Sequence, residues 1–432
     1  MKTFFKKIIV AILFFEAKLV LAKYRPKIVA VTGSVGKTSA KDAIYAVLAQ
    51  LYYVRKSEKS FNSEIGLPLT ILGLHNAWNN PLAWIQNIVQ GAWLVIHPAK
   101  KYPEWLVLEA GVGKPGDMKD IAKLIKTDVV VFTEFSKNPV HVEFFEGSTD
   151  AVLKEKALLI TSLKKDGILL LNRDNEMIMS LKENAKHITY TYGMDANADV
   201  SISNDSISYE RDGIPSGVNF RINYEGNSLP VHLEGVFGRN HIYSALIALA
   251  VTHVEKLNML QAIEALKDYE IAPGRMRLLE GEKGTYIIDD TYNASPIAMQ
   301  AALHTLGDMK VKGRKIAVLG DMLELGRLTE ESHKEIGALA QQSADVLVVV
   351  GKRASHIAEG AIEAGYSEER IFKFDTADQA KTEIEQMIRE GDIILVKGSQ
   401  GMRMEKIVEE IMAHPELKEK LLVRQEVEWR NR

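Results

Sequence analysis

The sequence predicts an α/β protein with two sheet-bearing domains, and three observations carry that expectation. Apolar runs of strand length alternate with helical stretches from Lys27 onward. A glycine-rich turn joins the first of these strands to its helix. A second strand–helix series begins after Pro273-Gly274. Continuous apolar strands joined by helical crossovers are the pattern of a parallel sheet covered on both faces.

In chain order, residues 1–23 read as a separate N-terminal helix. Lys2, Lys6 and Lys7 precede the apolar run Ile8 to Phe15, and Glu16 and Lys18 interrupt it. That run is too short to span a bilayer, so an amphipathic helix is expected, with Ile8, Ile12, Phe15 and Leu19 on one face. Two readings fit it. One is a helix lying on the inner membrane surface, helped by its lysines. The other is a helix packed on the protein or on a second chain.

Residues 24–272 read as the central domain. Its strands are KIVAVT (27–32), WLVLEA (105–110), DVVVFT (128–133) and GILLLN (167–172), separated by helical stretches such as 37–50 and 149–163. Residues 198–234 alternate apolar and polar positions between Gly, Asn and Pro, as antiparallel hairpins do, and are expected to form a small β insertion. Helices return at 240–254 and 257–268. Residues 273–432 then repeat the alternation with YIIDDT, KIAVLGD, VLVVVG, IFKF and DIILVKG, the order of a doubly wound, Rossmann-like C-terminal domain.

Composition narrows the chemistry. A chain of 432 residues with 46% hydrophobic and 26% charged residues has the makeup of a soluble globular protein of two or three domains. A net charge of -3 gives no general footprint for nucleic acid. The absence of cysteine rules out disulfides, thiolate metal sites and a cysteine nucleophile, and fits a cytoplasmic protein.

The strongest motif is Val31-Thr32-Gly33-Ser34-Val35-Gly36-Lys37-Thr38, between a strand and a helix. Its glycines let backbone amides turn toward phosphates, and the helix N-terminus favours an anion. Lys37 is expected on the β- and γ-phosphates of ATP and the Thr38 hydroxyl on Mg²⁺. Val31 stands where the longer form of this loop has its first glycine. Glu109, at the carboxyl end of a buried strand, points to the crevice where α/β ligands bind and suits Mg²⁺, although a solvated strand-end acid would read the same way. His141 lies in the loop after the strand ending at Thr133, and a neutral imidazole there fits either a metal or phosphate partner or a plain surface residue. Taken alone, Lys154 and Lys156 are solvated lysines. In the C-terminal domain, Asp289, Asp290 and Asn293 suit ribose and phosphate contacts, or form a plain acidic turn, and Arg275 suits a phosphate.

Together these residues resemble the Mur ligases of peptidoglycan synthesis, over about Lys27 to Val408. TGSVGKTS is similar to the family's short phosphate loop, including Ser39, and Asn62 to Thr70 (NSEIGLPLT) is similar to a segment of its D-Ala-D-Ala-adding branch. LEAGVGKPGDM at Glu109, His141, DDTYNASP and VKGSQGM follow in the family's order. The resemblance implies an ATP-dependent ligase that makes an amide bond through an acyl phosphate. Its acid would be of the UDP-MurNAc-tripeptide type and its amine D-Ala-D-Ala. ATP and two Mg²⁺ ions would bind between the central and C-terminal domains. It also implies a carbamoylated lysine among the metal ligands, with Lys156 the better match to the motif and Lys154 the second. Three departures accompany it. Only residues 1–26 precede the first long strand, so the family's N-terminal UDP-sugar domain is expected to have no counterpart. The family's G-R-H-N-x-x-N segment reads Gly238-Arg239-Asn240-His241-Ile242-Tyr243-Ser244, with His and Asn exchanged and the last Asn replaced, and Asn240 is the residue of it expected to contact the nucleotide. The D-N-P-R motif of the diaminopimelate-adding branch is absent. A ligase for a different or lipid-linked acid, and a non-catalytic nucleotide-binding scaffold, are the competing readings.

Overall fold

The computed structural model describes residues 2–57, 65–77, 80–99, 101–135, 142–145, 147–269, 271–425 and 429. The chain divides into two compact units, one formed by Met1–Asn204, Phe220–Val231 and Ile242–Glu270, the other by Asp205–Asn219, His232–His241 and Ile271–Arg432.

The first unit is organised around a sheet of strands β1 (Lys27–Thr32), β2 (Val54–Lys56), β3 (Trp105–Glu109), β4 (Thr127–Phe132), β5 (Leu163–Asn172), β6 (Ile188–Gly193), β7 (Val200–Tyr209), β8 (Pro215–Tyr224) and β9 (Asn227–Glu234), in the order β2-β3-β1-β4-β5-β6-β7-β8-β9. The pairs from β2 to β6 are parallel, and their apolar runs are buried along almost their whole length. Strand β1 lies between β3 and β4, with Val31 opposite Glu109 and Thr32 opposite Phe132. That order sets the end of β3 beside the turn that follows β1.

The stretch expected as a small β insertion forms strands, and these extend this sheet. Tyr192 and Gly193 of β6 pair with Val200 and Ser201, and β7, β8 and β9 follow as consecutive neighbours joined by short turns. The alternating pattern that marked residues 198–234 as half-buried gives no information about which edge they join.

Helices α1 (Lys2–Tyr24), α2 (Lys37–Ala49), α3 (Gly66–Leu72), α4 (Pro81–Ile96), α5 (Asp117–Leu124) and α6 (Thr149–Ala157) belong to this unit. Helix α1 buries Leu13, Ala17 and Val20 in one core with Leu67, Leu69 and Ile71 of α3 and with strands β1, β3, β4 and β5. The residues expected together on one face, Ile8, Phe15 and Leu19, are its exposed side, and Ile12 lies at the margin.

In the second unit, β10 (Arg277–Gly281), β11 (Thr285–Asp290), β12 (Lys315–Gly320), β13 (Val346–Val350), β14 (Ile371–Phe374) and β15 (Ile393–Lys397) form a sheet in the order β10-β11-β15-β12-β13-β14. Only β10 runs antiparallel to its neighbour; the other four pairs are parallel. Strand β15 inserts between β11 and β12, which brings Lys397 opposite Asp290.

Candidate functional site

The turn after β1 is shaped by two glycines in positive-φ conformations, Gly33 (φ 146°) and Gly36 (φ 81°). A Cβ on Gly33 would sit 2.0 Å from Thr133 Oγ1, so the turn packs against the end of β4 with no room for a side chain. Thr133 Oγ1 donates to Val35 O at 2.7 Å, and Ser34 N–H donates to Glu134 O at 2.7 Å. These bonds fix one side of the turn to the neighbouring strand. Gly36 precedes α2 and supplies no side-chain cap to the first turn of that helix. Lys37 Nζ folds back onto Ser34 O at 3.1 Å. The Ser34 and Thr32 hydroxyls are buried with no hydrogen-bond partner. A buried orphan hydroxyl costs free energy unless a ligand satisfies it. A turn with a helix N-terminus, an ammonium and a spare hydroxyl therefore has the capacity an anionic phosphate requires.

Glu109 is 1% exposed and accepts a hydrogen bond from Thr38 Oγ1 at 2.9 Å. Both side chains bear oxygen, the ligand type of a hard divalent cation. Thr38 and Glu109 thus fit Mg²⁺ by chemistry. No group of three or more His, Cys, Asp or Glu side chains that could hold a metal occurs among the described residues. His141 lies outside them.

Lys156 reaches the same turn from α6. Ser148 Oγ accepts from Ala151 N–H and caps that helix, while Glu155 Oε1 accepts from the Gly116 and Met118 amides and ties α6 to the start of α5. Between these anchors Lys156 turns inward, 5% exposed, and donates to Gly33 O at 3.0 Å. Burial, reinforced by the neighbouring Lys37 charge and opposed by Glu109, pushes its ammonium down to about 7. Lys154, two residues earlier, is exposed. Ser39 is buried in the first turn of α2. Lys41 is buried one turn further on and donates to Ser57 O at 2.7 Å. Burial lowers its pKa, offset in part by Asp42 and Glu109.

The second unit arranges its expected residues differently. Asp290 forms an ion pair of 2.5 Å with Lys397, which is 2% exposed and also donates to Asn293 O at 3.0 Å. Asn293 Oδ1 accepts from Gln400 N–H. Asp289, pushed up to about 6 by burial, accepts from Gly274 N–H and from Thr291. Arg275 stacks its guanidinium 4.1 Å from the Tyr292 ring centre, and its Nε is buried without a partner. Asn240 is exposed at the start of its helix, whereas His241 is buried and bonded to Arg275 O at 2.7 Å. Burial holds the His241 imidazole down at about 4, so this ring is neutral at physiological pH.

Sequence reasoning did not single out Thr133 as the latch of the turn, or Arg424, which bonds Glu405 at 2.7 Å and the Thr291 and Tyr292 carbonyls. The adjacency of β1 and β4 marks Thr133 once strand order is known. No local pattern marks Arg424.

The model of the Mur ligase middle domain matches residues 31–84 and 86–252, and that of the Mur ligase glutamate ligase domain matches residues 274–400. The UDP-N-acetylmuramoyl-tripeptide–D-alanyl-D-alanine ligase of Bacillus subtilis is 31% identical over 401 residues, covering 92% of this chain and 79% of that protein. The enzyme of the same name from Escherichia coli is 27% identical over 388 residues, covering 88% and 76%. Among solved structures, the MurF ligase of Thermotoga maritima in complex with ADP superposes with a TM-score of 0.75 at 25% identity, covering 95% of this chain and 84% of that one.

Proposed function

The chain belongs to the Mur ligase family, and from that premise we propose that it is the ATP-dependent ligase that joins D-alanyl-D-alanine to a UDP-N-acetylmuramoyl-tripeptide. The observation that carries the reading is the 31% identity to the B. subtilis ligase across 92% of the chain. The convergence of Lys37, Lys156, Thr38 and Glu109 around one phosphate-type turn supports it.

The chemistry follows from the need to activate a carboxylate. A free carboxylate is a poor acyl donor at neutral pH. An oxygen of the tripeptide carboxylate attacks the γ-phosphorus of ATP and ADP leaves, giving an acyl phosphate. The amine of D-Ala-D-Ala then attacks the acyl carbon, inorganic phosphate leaves, and the amine loses a proton. We assign Gly33, Ser34, Gly36, Thr38 and Ser39 to phosphate binding, and Lys37 to the charge that develops on the transferring group. Mg²⁺, when bound, supplies positive charge against the phosphates, and the residues we assign to it are Thr38, Glu109, His141 and Lys156. A lysine with a pKa near 7 has a large neutral fraction at physiological pH. Its nitrogen can attack CO₂ and release a proton to become a carbamate, an oxygen ligand. We assign that modification to Lys156 rather than to the exposed Lys154. In the C-terminal unit we assign Arg275, Asn293 and Asn240 to nucleotide contacts, and Asp290 to holding Lys397.

The protein would work in the cytoplasm, where ATP and the nucleotide-linked precursor are made. No described helix is long and apolar enough to cross a membrane, and residues 1–23 would give a peripheral contact with its inner face. The test is release of ADP from ATP on mixing UDP-MurNAc-tripeptide and D-Ala-D-Ala. Turnover that requires both substrates supports the assignment, and turnover with neither, or with another acid and amine only, removes it.

A further inference from the structure

Helix α4 is apolar nearly all round and carries no charged residue between Pro81 and Ile96. One side packs Trp84, Ile88, Leu94 and Val95 on the core of the first unit. The other side carries Leu82, Ile85, Val89, Trp93 and Ile96, a spacing of three and four residues that forms one stripe. Each of these five is between 58% and 76% exposed. A helix apolar on both faces belongs in a protein interior or against a lipid surface.

Helix α1 lies alongside it and repeats the arrangement. Its inner side enters the same core, and Ile8, Phe15 and Leu19 face out at the matching spacing. Lys23 Nζ donates to the carbonyls of Leu94, Val95 and His97 and so fastens the end of α1 to the end of α4. Glu16 packs against Gly91, where a Cβ would meet its Oε2 at 2.1 Å. Two helices clamped side by side, both burying the opposite face in one core, present their apolar stripes away from the protein. Exposed apolar surface on two adjacent helices marks an interaction site.

Charge selects the occupant. Residues 1–25 contain six lysines and arginines and one acid, in a chain whose net charge is -3. That one acid, Glu16, is buried between the two helices rather than displayed. A second copy docked face to face would set these cations against themselves. An anionic lipid surface would pair with them and take up the apolar stripes, and Trp93 is of the type that sits at a headgroup boundary.

We propose that the exposed stripes of α1 and α4 form one membrane-docking face that lies on anionic lipid. This extends to a second helix the peripheral contact assigned above to residues 1–23, and it is independent of the ligase reading. The experiment is flotation of the full-length protein with phosphatidylcholine vesicles, with and without phosphatidylglycerol, at low and high salt. Light scattering of the lipid-free protein accompanies it. The expected result is flotation with the anionic vesicles only, weakened by salt and reduced by about tenfold in Ile85→Gln/Val89→Gln/Trp93→Gln. An unchanged thermal melt of that variant shows that its fold is intact. Loss of flotation in Phe15→Gln/Leu19→Gln but not in the α4 variant would leave α1 as the only contact and overturn the two-helix face. No flotation of the wild-type protein would overturn both. A lipid-free dimer that the α4 variant converts to monomer would identify a second copy as the occupant and overturn the lipid assignment.

Discussion

The turns after the buried parallel strands β1 and β11 differ in how much of their polar capacity is already used. The turn after β1 keeps capacity in reserve: Ser34 has a buried hydroxyl with no partner, α2 starts without a side-chain cap, and Lys37 rests on a carbonyl of its own turn. The turn after β11 is largely satisfied from within, by Lys397 on Asp290, Thr291 on Asp289, and Arg424 on the Thr291 and Tyr292 carbonyls. Arg275 Nε is the exception there. Unsatisfied capacity points to a ligand, whereas satisfied capacity points to architecture. A sequence that places polar and charged residues at both turns does not distinguish the two.

The comparison breaks if the first turn proves structural. Lys37→Ala should lower kcat by about 10³-fold while moving stability by less than about 0.5 kcal/mol. Turnover assays and thermal melts read the two effects separately, and a stability loss with little loss of turnover reverses the assignment. The second turn should respond the other way. Asp290→Ala strands the buried Lys397 and should destabilise the protein by about 3–5 kcal/mol. Denaturant melts measure that loss, and Asp290→Ala/Lys397→Met should recover part of it.

Lys156 sharpens the comparison, because it is a buried ammonium held against the first turn. Its depressed pKa means that the neutral amine dominates above about 7. Activity should fall by about tenfold in CO₂-depleted buffer and return with bicarbonate. The recovery should increase as pH rises through 7. Lys156→Arg should show no recovery at any pH.

Much of this was legible in the sequence, and the remainder has a common cause. The strands from Lys27 to Lys397 and the helix after Gly36 follow the apolar periodicity closely. The phosphate-type turn is visible because its glycines and lysine are adjacent in the chain. Thr133, Lys397 on Asp290 and Arg424 act across strands or from the far end of the chain, and strand order is not written in local spacing. The strands of residues 198–234 are legible in their alternation, and their attachment to the edge of the main sheet is set by strand order in the same way. Helix α4 carries an apolar pattern that reads as core, and only its exposure separates it from core.

The smallest expected effect concerns the clamp between α1 and α4. Burial raises Glu16 to about 7, so the folded state binds a proton that the unfolded chain has released above its ordinary pKa of 4.5. Stability from this group is therefore lost as pH rises from 4.5 toward 7. Glu16→Gln should raise Tm by about 2 °C at pH 8 and leave it unchanged at pH 4. Equal gains at both pH values would contradict this account of Glu16.

The acyl phosphate is tested most directly by isotope transfer. With ¹⁸O in the tripeptide carboxylate, the released inorganic phosphate should carry one labelled oxygen for each amide bond formed. Unlabelled phosphate, with amide formation intact, would contradict activation of the acid at the turn held by Lys37 and Glu109.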